Sequence, residues 1–218
     1  EAVIPTRSMM QQIFGNCLVM FRPSNIVSGD FYWAAKIGRY KALVVADCTG
    51  HGVPGAFMSM LGISMLNDIV ANIDMNSEQL QASDILNQLR ANVISALRQD
   101  IDAMGGLDGI DMALILIDSE RRQLQYSGAY RPLVMIRDNS LTKIECDHMP
   151  IGKYNKNTPF TNHVIELEKG DCFFAYSDGI TDQFDNSNEQ KFGRKKLYGL
   201  LLDNYQKPFT EQFDIYKN

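Results

Sequence analysis

Three aspartates share a setting suited to holding a hard cation. Asp30 lies in Ser28-Gly29-Asp30-Phe31-Tyr32-Trp33, and Asp47 lies in Val44-Val45-Ala46-Asp47-Cys48-Thr49-Gly50-His51-Gly52-Val53-Pro54-Gly55-Ala56. Asp178 lies in Tyr176-Ser177-Asp178-Gly179-Ile180-Thr181-Asp182. Each stands at or next to the end of an apolar, strand-like run, beside glycine or small polar residues. Carboxylates and backbone carbonyls are the ligands of magnesium and manganese, and glycine lets a carbonyl or a substrate come close. Two such ions roughly 3.5–4 Å apart orient water, lower its pKa and clamp a phosphoryl group. A single aspartate near a glycine is most often only a turn; three such aspartates closing apolar strands form a more specific pattern.

Other residues near these carboxylates have competing readings. His51 is either a turn residue or a proton donor beside the cation site. Cys48 as a thiolate nucleophile would need a phosphate-cradling loop with an arginine, and no such loop follows it. The glycines of the Gly50–Gly55 loop match neither the lysine-bearing phosphate loop nor the dinucleotide spacing. Asp108 and Asp111 could hold a third, looser ion; the plainer reading makes Asp108 a turn residue and Asp111 a local hydrogen-bond partner. Arg22 could meet a phosphate or simply sit in solvent. Trp33, Met58, Met60 and Met65 read as packing residues, and Lys195-Lys196 as a solvated helix face.

The elements that must position these groups follow from periodicity. Residues 16–22 alternate apolar Cys17, Val19 and Phe21 and read as a strand. Phe31 to Ile37 and Ala42 to Ala46 read as a hairpin turning at Gly38-Arg39-Tyr40-Lys41. Pro54 suits the first turn of a helix running to about residue 74, with Phe57, Leu61, Met65 and Ile69 as its apolar stripe, flanked by Met58, Leu66 and Ile73. A second helix, capped by Ser83 or Asp84, runs to about 102 with Ile85, Leu89, Val93 and Leu97 on one face. Met112 to Asp118 is a continuous apolar strand. Strands near 122–127, 131–137, 141–145, 163–168 and 172–176 follow, separated by turns such as Asp138-Asn139-Ser140 and Lys169-Gly170-Asp171, and a last helix covers about 192–203. Two adjacent helices inside a strand-rich, hairpin-linked chain predict an α+β fold of antiparallel sheets with helices packed on them.

Composition sets the outer limits. The chain has 218 residues, 45% of them hydrophobic and 22% charged, enough for one full core. A net charge of −5 argues against nucleic acid or an anionic membrane as the main partner and permits cation binding. The four cysteines (Cys17, Cys48, Cys146, Cys172) show no CxxC pair and no zinc spacing, which suits free thiols in a reducing, cytoplasmic setting. No apolar run reads as a membrane helix of ~18–20 residues; a membrane anchor of a parent protein would lie outside these residues.

The motifs together resemble the metal-dependent protein phosphatases of the PPM type, in their SpoIIE-like bacterial branch. The likeness is carried by Ile26-Val27-Ser28-Gly29-Asp30-Phe31-Tyr32-Trp33, by the segment from Ala46 to Met60, and by Asp108-Gly109-Ile110-Asp111-Met112-Ala113-Leu114. It continues in Tyr126-Ser127-Gly128-Ala129, Met149-Pro150-Ile151-Gly152 and the segment from Ser177 to Phe184, in the family's order over nearly the whole chain. The resemblance implies two antiparallel β-sheets sandwiched between helices, with a two-ion site of manganese or magnesium at one end. It implies Asp47 as the carboxylate bridging both ions, Cys48 as a donor through its backbone carbonyl, Asp30 as a ligand of that same ion and Asp178 as a ligand of the other. Water activated there would attack phosphoserine or phosphothreonine in line, with no phosphoenzyme, and His51 would assist.

The family pattern ends with a further helix and a strand bearing an Asp-Asp or Asp-Asn pair, and the segment from Phe213 to Asn218 does not match it. The expectation is therefore a domain over 15–218 lacking that C-terminal helix and strand, with residues 1–14 as the end of a linker or coupling helix. Asp182, Asp185 and Asp214 are not taken as replacements for the pair. By resemblance the substrate is a phosphorylated protein such as an anti-sigma-factor antagonist, and a sensor domain precedes the chain; monomer and homodimer are both open. Two other readings stand beside the phosphatase: a catalytically impaired signalling module with the same fold, and a metal-dependent hydrolase of another phosphoester.

Overall fold

A computed structural model describes residues 4–23, 28–50, 52–74, 80–99, 108–184 and 190–217. Helix α1 (Arg7–Phe14) precedes a hairpin of β1 (Phe31–Ile37) and β2 (Tyr40–Cys48), then helices α2 (Val53–Ala71) and α3 (Ala82–Ala96). Strands β3 (Ile110–Asp118), β4 (Gln123–Ala129), β5 (Leu133–Arg137), β6 (Ser140–Ile144), β7 (His163–Glu166) and β8 (Cys172–Phe174) follow. Helices α4 (Gly193–Asn204) and α5 (Phe209–Lys217) close the described chain. The strands form two antiparallel sheets, a five-stranded one ordered β1-β2-β3-β4-β7 and a three-stranded one ordered β6-β5-β8.

The layers follow from the two-residue period of the strands. On β3, Met112, Leu114 and Leu116 face α2 and α3, where they pack with Leu66, Ile69, Leu86 and Leu89. The alternate residues Ala113 and Ile115 face the other sheet and pack with Tyr126 and Leu133. Both faces of β3 are thus buried, which explains its unbroken apolar run. On the far side, Val134 and Ile136 pack against Leu197, Leu201 and Tyr205 of the α4 region. The result is helix, sheet, sheet, helix, as the α+β expectation requires. Two tight hairpins set the register: Gly38 (φ 56°) opens the turn between Ile37 and Tyr40, and Asp138 and Asn139 (φ 48° and 59°) turn between Arg137 and Ser140.

Several elements differ from the sequence reading. Residues 16–22 form no strand: they pair with no neighbour among the described residues and are uniformly half-buried, except the exposed Asn16 and Arg22. The alternation of Cys17, Val19 and Phe21 reports packing instead, with Phe21 edge-on to Tyr32. Arg22 donates to the carbonyl of Lys217 at 2.8 Å, so it serves the last turn of α5. Helix α5 itself was not expected; Pro208 precedes it, Glu211 lies in its first turn and Lys217 in its last, each on the side the helix dipole favours. Helix α3 starts one residue before Ser83, with Gln81 in the cap position, and stops at Ala96.

Helix α2 is apolar on all sides, so its pattern misplaces the buried face. Gly55, Met58, Ser59, Gly62, Ile63, Leu66 and Ile69 face the sheet, while Phe57 is 68% and Met60 56% exposed. Its 19 residues, with a mean hydropathy of 1.4, are long and apolar enough to cross a membrane, contrary to the sequence reading. Here that character serves a core helix, one face of which is sealed against the sheet.

Candidate metal centre

The β2–α2 connection is packed so tightly that only glycine fits at its contact points. The amide of Cys48 donates to the carbonyl of Gly29 at 3.3 Å. A side chain on Gly29 would come within 3.1 Å of the carbonyl oxygens of both Cys48 and Gly50. One on Gly55 would stand 2.6 Å from the Gly50 oxygen and 3.2 Å from the Gly29 Cα. Two main-chain carbonyls therefore converge on the residue before Asp30, in a cradle that any Cβ would fill. Gly50 and Gly52 adopt φ of 92° and 65°, which L-residues rarely take. On the other side, Thr49 donates its amide to the Gly109 carbonyl (2.9 Å) and accepts from the Gly109 amide through Oγ1 (2.8 Å), tying this loop to the start of β3.

Four carboxylates meet at this end of the five-stranded sheet. Asp47 is the penultimate residue of β2, and its Cα partner on β3 is Asp111. Asp30 stands one residue beyond the Phe31–Ala46 pair of the β1–β2 ladder. Asp178 opens a single 3₁₀ turn after β8, and the neighbouring Ser177 donates to Asp30 Oδ2 at 2.7 Å. Among them lies a residue that the sequence reading passed over. Arg131, between β4 and β5, has a side chain only 9% exposed. Its Nη2 donates to Asp47 and, at 2.8 Å, to Asp178, and lies 3.3 Å from Asp111. Among the described residues, no group of three or more His, Cys, Asp and Glu side chains forms a ready cage for an ion; the nearest carboxylates converge on Arg131.

The family model described as Stage II sporulation protein E (SpoIIE) matches residues 38–216. The chain belongs to the SpoIIE family. It is 29% identical to Protein IcfG of Synechocystis sp. over 91% of the chain, and 25% identical to the phosphoserine phosphatase RsbU of Bacillus subtilis over 73%. It spans only 33% and 44% of the lengths of these two curated relatives. The SiaA-PP2C domain of Pseudomonas aeruginosa superposes with a TM-score of 0.84 at 25% identity, covering 99% of this chain and 82% of that one. The fold is thus that of the PPM-type phosphatase domains, as the resemblance implied.

Electrostatics at this SpoIIE-family centre are dominated by burial and crowding of like charge. Burial, reinforced by the charge of Asp30, pushes the Asp47 carboxyl up to about 8, against the pull of Arg131. Burial likewise raises Asp111 to about 6. Asp178 goes the other way: burial works against ionisation, but the bond and charge of Arg131 outweigh it and hold the carboxyl below its usual value. Burial and the nearby Asp47 and Asp30 push the Cys48 thiol far above its usual range, which removes it as a nucleophile. The donors present are carboxylate and carbonyl oxygens crowded beyond electrostatic comfort, and they fit a hard divalent cation.

The predicted site residues separate clearly. Asp30, Asp47 and the carbonyl of Cys48 lie at one end of the five-stranded sheet, and Asp178 reaches them from the turn after β8 of the other sheet. His51 lies outside the described residues, as does Asp185. Asp111, expected to make a local hydrogen bond, lies 3.3 Å from Arg131 Nη2 beside Asp47. The Asp108 carboxylate is exposed and lies 3.5 Å from the Thr49 hydroxyl, and its carbonyl accepts from Gln99 at 2.6 Å. Asp182 pairs with Lys191 at 2.8 Å. Trp33 is packed, donating Nε1 to Asn67 at 2.8 Å. The signal that could have exposed Arg131 is its position: a lone charge between Tyr126-Ser127-Gly128-Ala129 and the apolar run from Leu133.

Proposed function

We propose that this domain is a magnesium- or manganese-dependent protein serine/threonine phosphatase of a bacterial signalling protein. The observation that carries the reading is the convergence of Asp30, Asp47 and Asp178, from three separate stretches of chain, beside the carbonyls of Cys48 and Gly50. In this reading Asp47 would serve both ions, the Cys48 carbonyl and Asp30 would serve one of them, and Asp178 would serve the other. The chemistry such ions supply when bound is a lowered pKa for water and neutralisation of phosphoryl charge. The chain supplies the rest. Ser177 fixes Asp30 by its 2.7 Å hydrogen bond. The 3₁₀ turn leaves Asp178 half-exposed at the site mouth. His51 is the proposed proton donor to the leaving serine or threonine oxygen.

The substrate in this reading is a phosphoprotein, of the class of anti-sigma-factor antagonists. Residues 15–218 act as the catalytic domain, and residues 1–14 couple it to a sensor in a longer, cytoplasmic or membrane-anchored parent. Support comes from family membership and from the named activity of RsbU. Hydrolysis of an aryl phosphate with manganese, by wild type and Asp47→Asn, tests it; an unchanged rate in the variant refutes the mechanism. Comparison of a phosphopeptide with nucleotides and sugar phosphates separates a protein phosphatase from another phosphoesterase. One observation favours the non-catalytic reading: Arg131 already neutralises part of the carboxylate cluster. Absence of manganese-dependent turnover on any of these substrates would favour it.

A further inference from the structure

Arg131 is held in an unusual way. Elsewhere in this molecule an arginine pairs in the ordinary fork: Arg137 sends Nε to Asp171 Oδ1 at 2.7 Å and Nη2 to Oδ2 at 2.6 Å. Arg131 does not. One nitrogen, Nη2, serves Asp47, Asp178 and Asp111, which come from β2, from the turn after β8 and from β3. Its Nε is buried and has no partner among the described residues. A guanidinium that gives up its fork and leaves a buried N–H unpaired is acting as a point charge. Three carboxylates around one positive point is the arrangement a cation would take.

The loop that delivers it is rigid. The Tyr126 hydroxyl, fully buried, donates to the Arg131 carbonyl at 2.5 Å. The Arg131 amide donates to the Ala129 carbonyl at 2.7 Å. Asp147 clasps the same loop from outside, accepting from the Tyr130 amide and donating to the Gly128 carbonyl, both at 2.9 Å. Tyr130 takes a φ of 55°, and a side chain on Gly128 would stand 2.0 Å from the Tyr126 hydroxyl. The backbone of Arg131 is therefore pinned, and only its long side chain can move. This gives the motif Tyr126-Ser127-Gly128-Ala129 a purpose that the metal ligands do not explain.

We infer that Arg131 is the built-in counter-cation of the metal-free site, and that a divalent ion enters by displacing its guanidinium from Asp47, Asp111 and Asp178. The inference rests on the proposed metal centre. A guanidinium and a divalent ion at these distances repel each other and draw on the same carboxylate oxygens, so arginine and metal compete. Arg131 keeps the acidic cluster from flying apart before loading, and it sets a threshold of metal concentration for loading.

The test is direct metal binding, without turnover. Manganese affinity is measured by titration calorimetry for wild type, Arg131→Gln and Arg131→Lys, with Asp47→Asn as the non-binding control. Removing the competitor should tighten binding in Arg131→Gln by about tenfold or more, lower the melting temperature of the metal-free protein and enlarge the gain on adding manganese. Arg131→Lys, which keeps a charge, should stay near wild type. In wild-type protein the Arg131 Nε–Hε NMR signal should shift during a magnesium titration; this needs no variant to fold. Unchanged or weaker manganese binding in Arg131→Gln, or an Arg131 signal unmoved by saturating magnesium, overturns the inference. If neither wild type nor Arg131→Gln binds manganese, the metal-centre reading falls and takes this one with it; wild-type binding that Arg131→Gln fails to tighten removes this inference alone.

Discussion

Asp47 of β2 and Asp111 of β3 are Cα partners across the antiparallel ladder, and Nη2 of Arg131 reaches both carboxylates. Burial raises both carboxyls, to about 8 and about 6, from an unfolded value of 3.8. Between pH 4 and 8 the folded state therefore holds protons that the unfolded state has lost. Stability of the metal-free domain should fall as pH rises through this window. Asp178, lowered instead, contributes below pH 4 and does not reverse the trend. Urea unfolding in EDTA at pH 5 and pH 8 measures it, with Asp47→Asn expected to flatten the slope. Because metal binding expels these protons, manganese should stabilise more at pH 8 than at pH 5. Higher metal-free stability at pH 8, or an unchanged slope in Asp47→Asn, would contradict this account.

Gly128 tests the arginine loop. Alanine there would place its Cβ 2.0 Å from the Tyr126 hydroxyl and 2.7 Å from the Arg131 carbonyl oxygen. The Tyr126 ring has no room to retreat, so Gly128→Ala should cost about 2–3 kcal/mol in urea unfolding, as overpacking does. Tyr126→Phe removes one buried hydrogen bond and leaves a buried carbonyl unpaired, for about 1–3 kcal/mol. Equal stability to wild type in either variant would show that the loop is looser than described.

Gly55→Ala sets two effects against each other. In an ordinary helix alanine is better than glycine by roughly 0.5–1 kcal/mol. Here its Cβ would press on the Gly50 carbonyl at 2.6 Å, which is main chain and must move with the loop that carries Cys48 and Asp47. The expected result is manganese binding weaker by roughly tenfold, the size of effect seen when the supports of metal ligands are disturbed. Calorimetric affinity equal to wild type would mean that the loop is not part of the centre.

The buried face of α2 can be checked by a pair of substitutions. Leu66 is fully buried between the helix and the sheet, so Leu66→Ala should cost about 2–5 kcal/mol. Phe57 is 68% exposed, and Phe57→Ser should change stability by no more than about 0.5 kcal/mol. The stripe read from sequence would make both costly, so the contrast in thermal or urea unfolding decides between the two faces.

Much of the fold was legible because strands and hairpins follow local rules. The turns at Gly38 and at Asp138-Asn139 lie where their residue types place them, and β3 reads as a strand because both its faces are buried. The all-apolar circumference of α2 hid its orientation, since periodicity marks a face only where polar residues mark the other. Residues 16–22 alternate like a strand but find no ladder partner among the described residues, and pairing is a property of two segments. Helix α5 is short and weakly patterned, and its end is served by Arg22, a residue almost two hundred positions earlier.

The sequence by itself determined the chemistry on offer: three aspartates beside glycines at strand ends, in the order of one family. It could do so because a carboxylate next to a flexible turn is a local requirement, written in adjacent residues. Only the tertiary structure decided what surrounds them. It set Asp111 opposite Asp47 and brought Arg131 from the β4–β5 connection into their midst. Charges act through space, and a strand ladder joins residues far apart in the chain. The balance of four carboxylates against one guanidinium therefore appears only once β2, β3 and the turn after β8 come together.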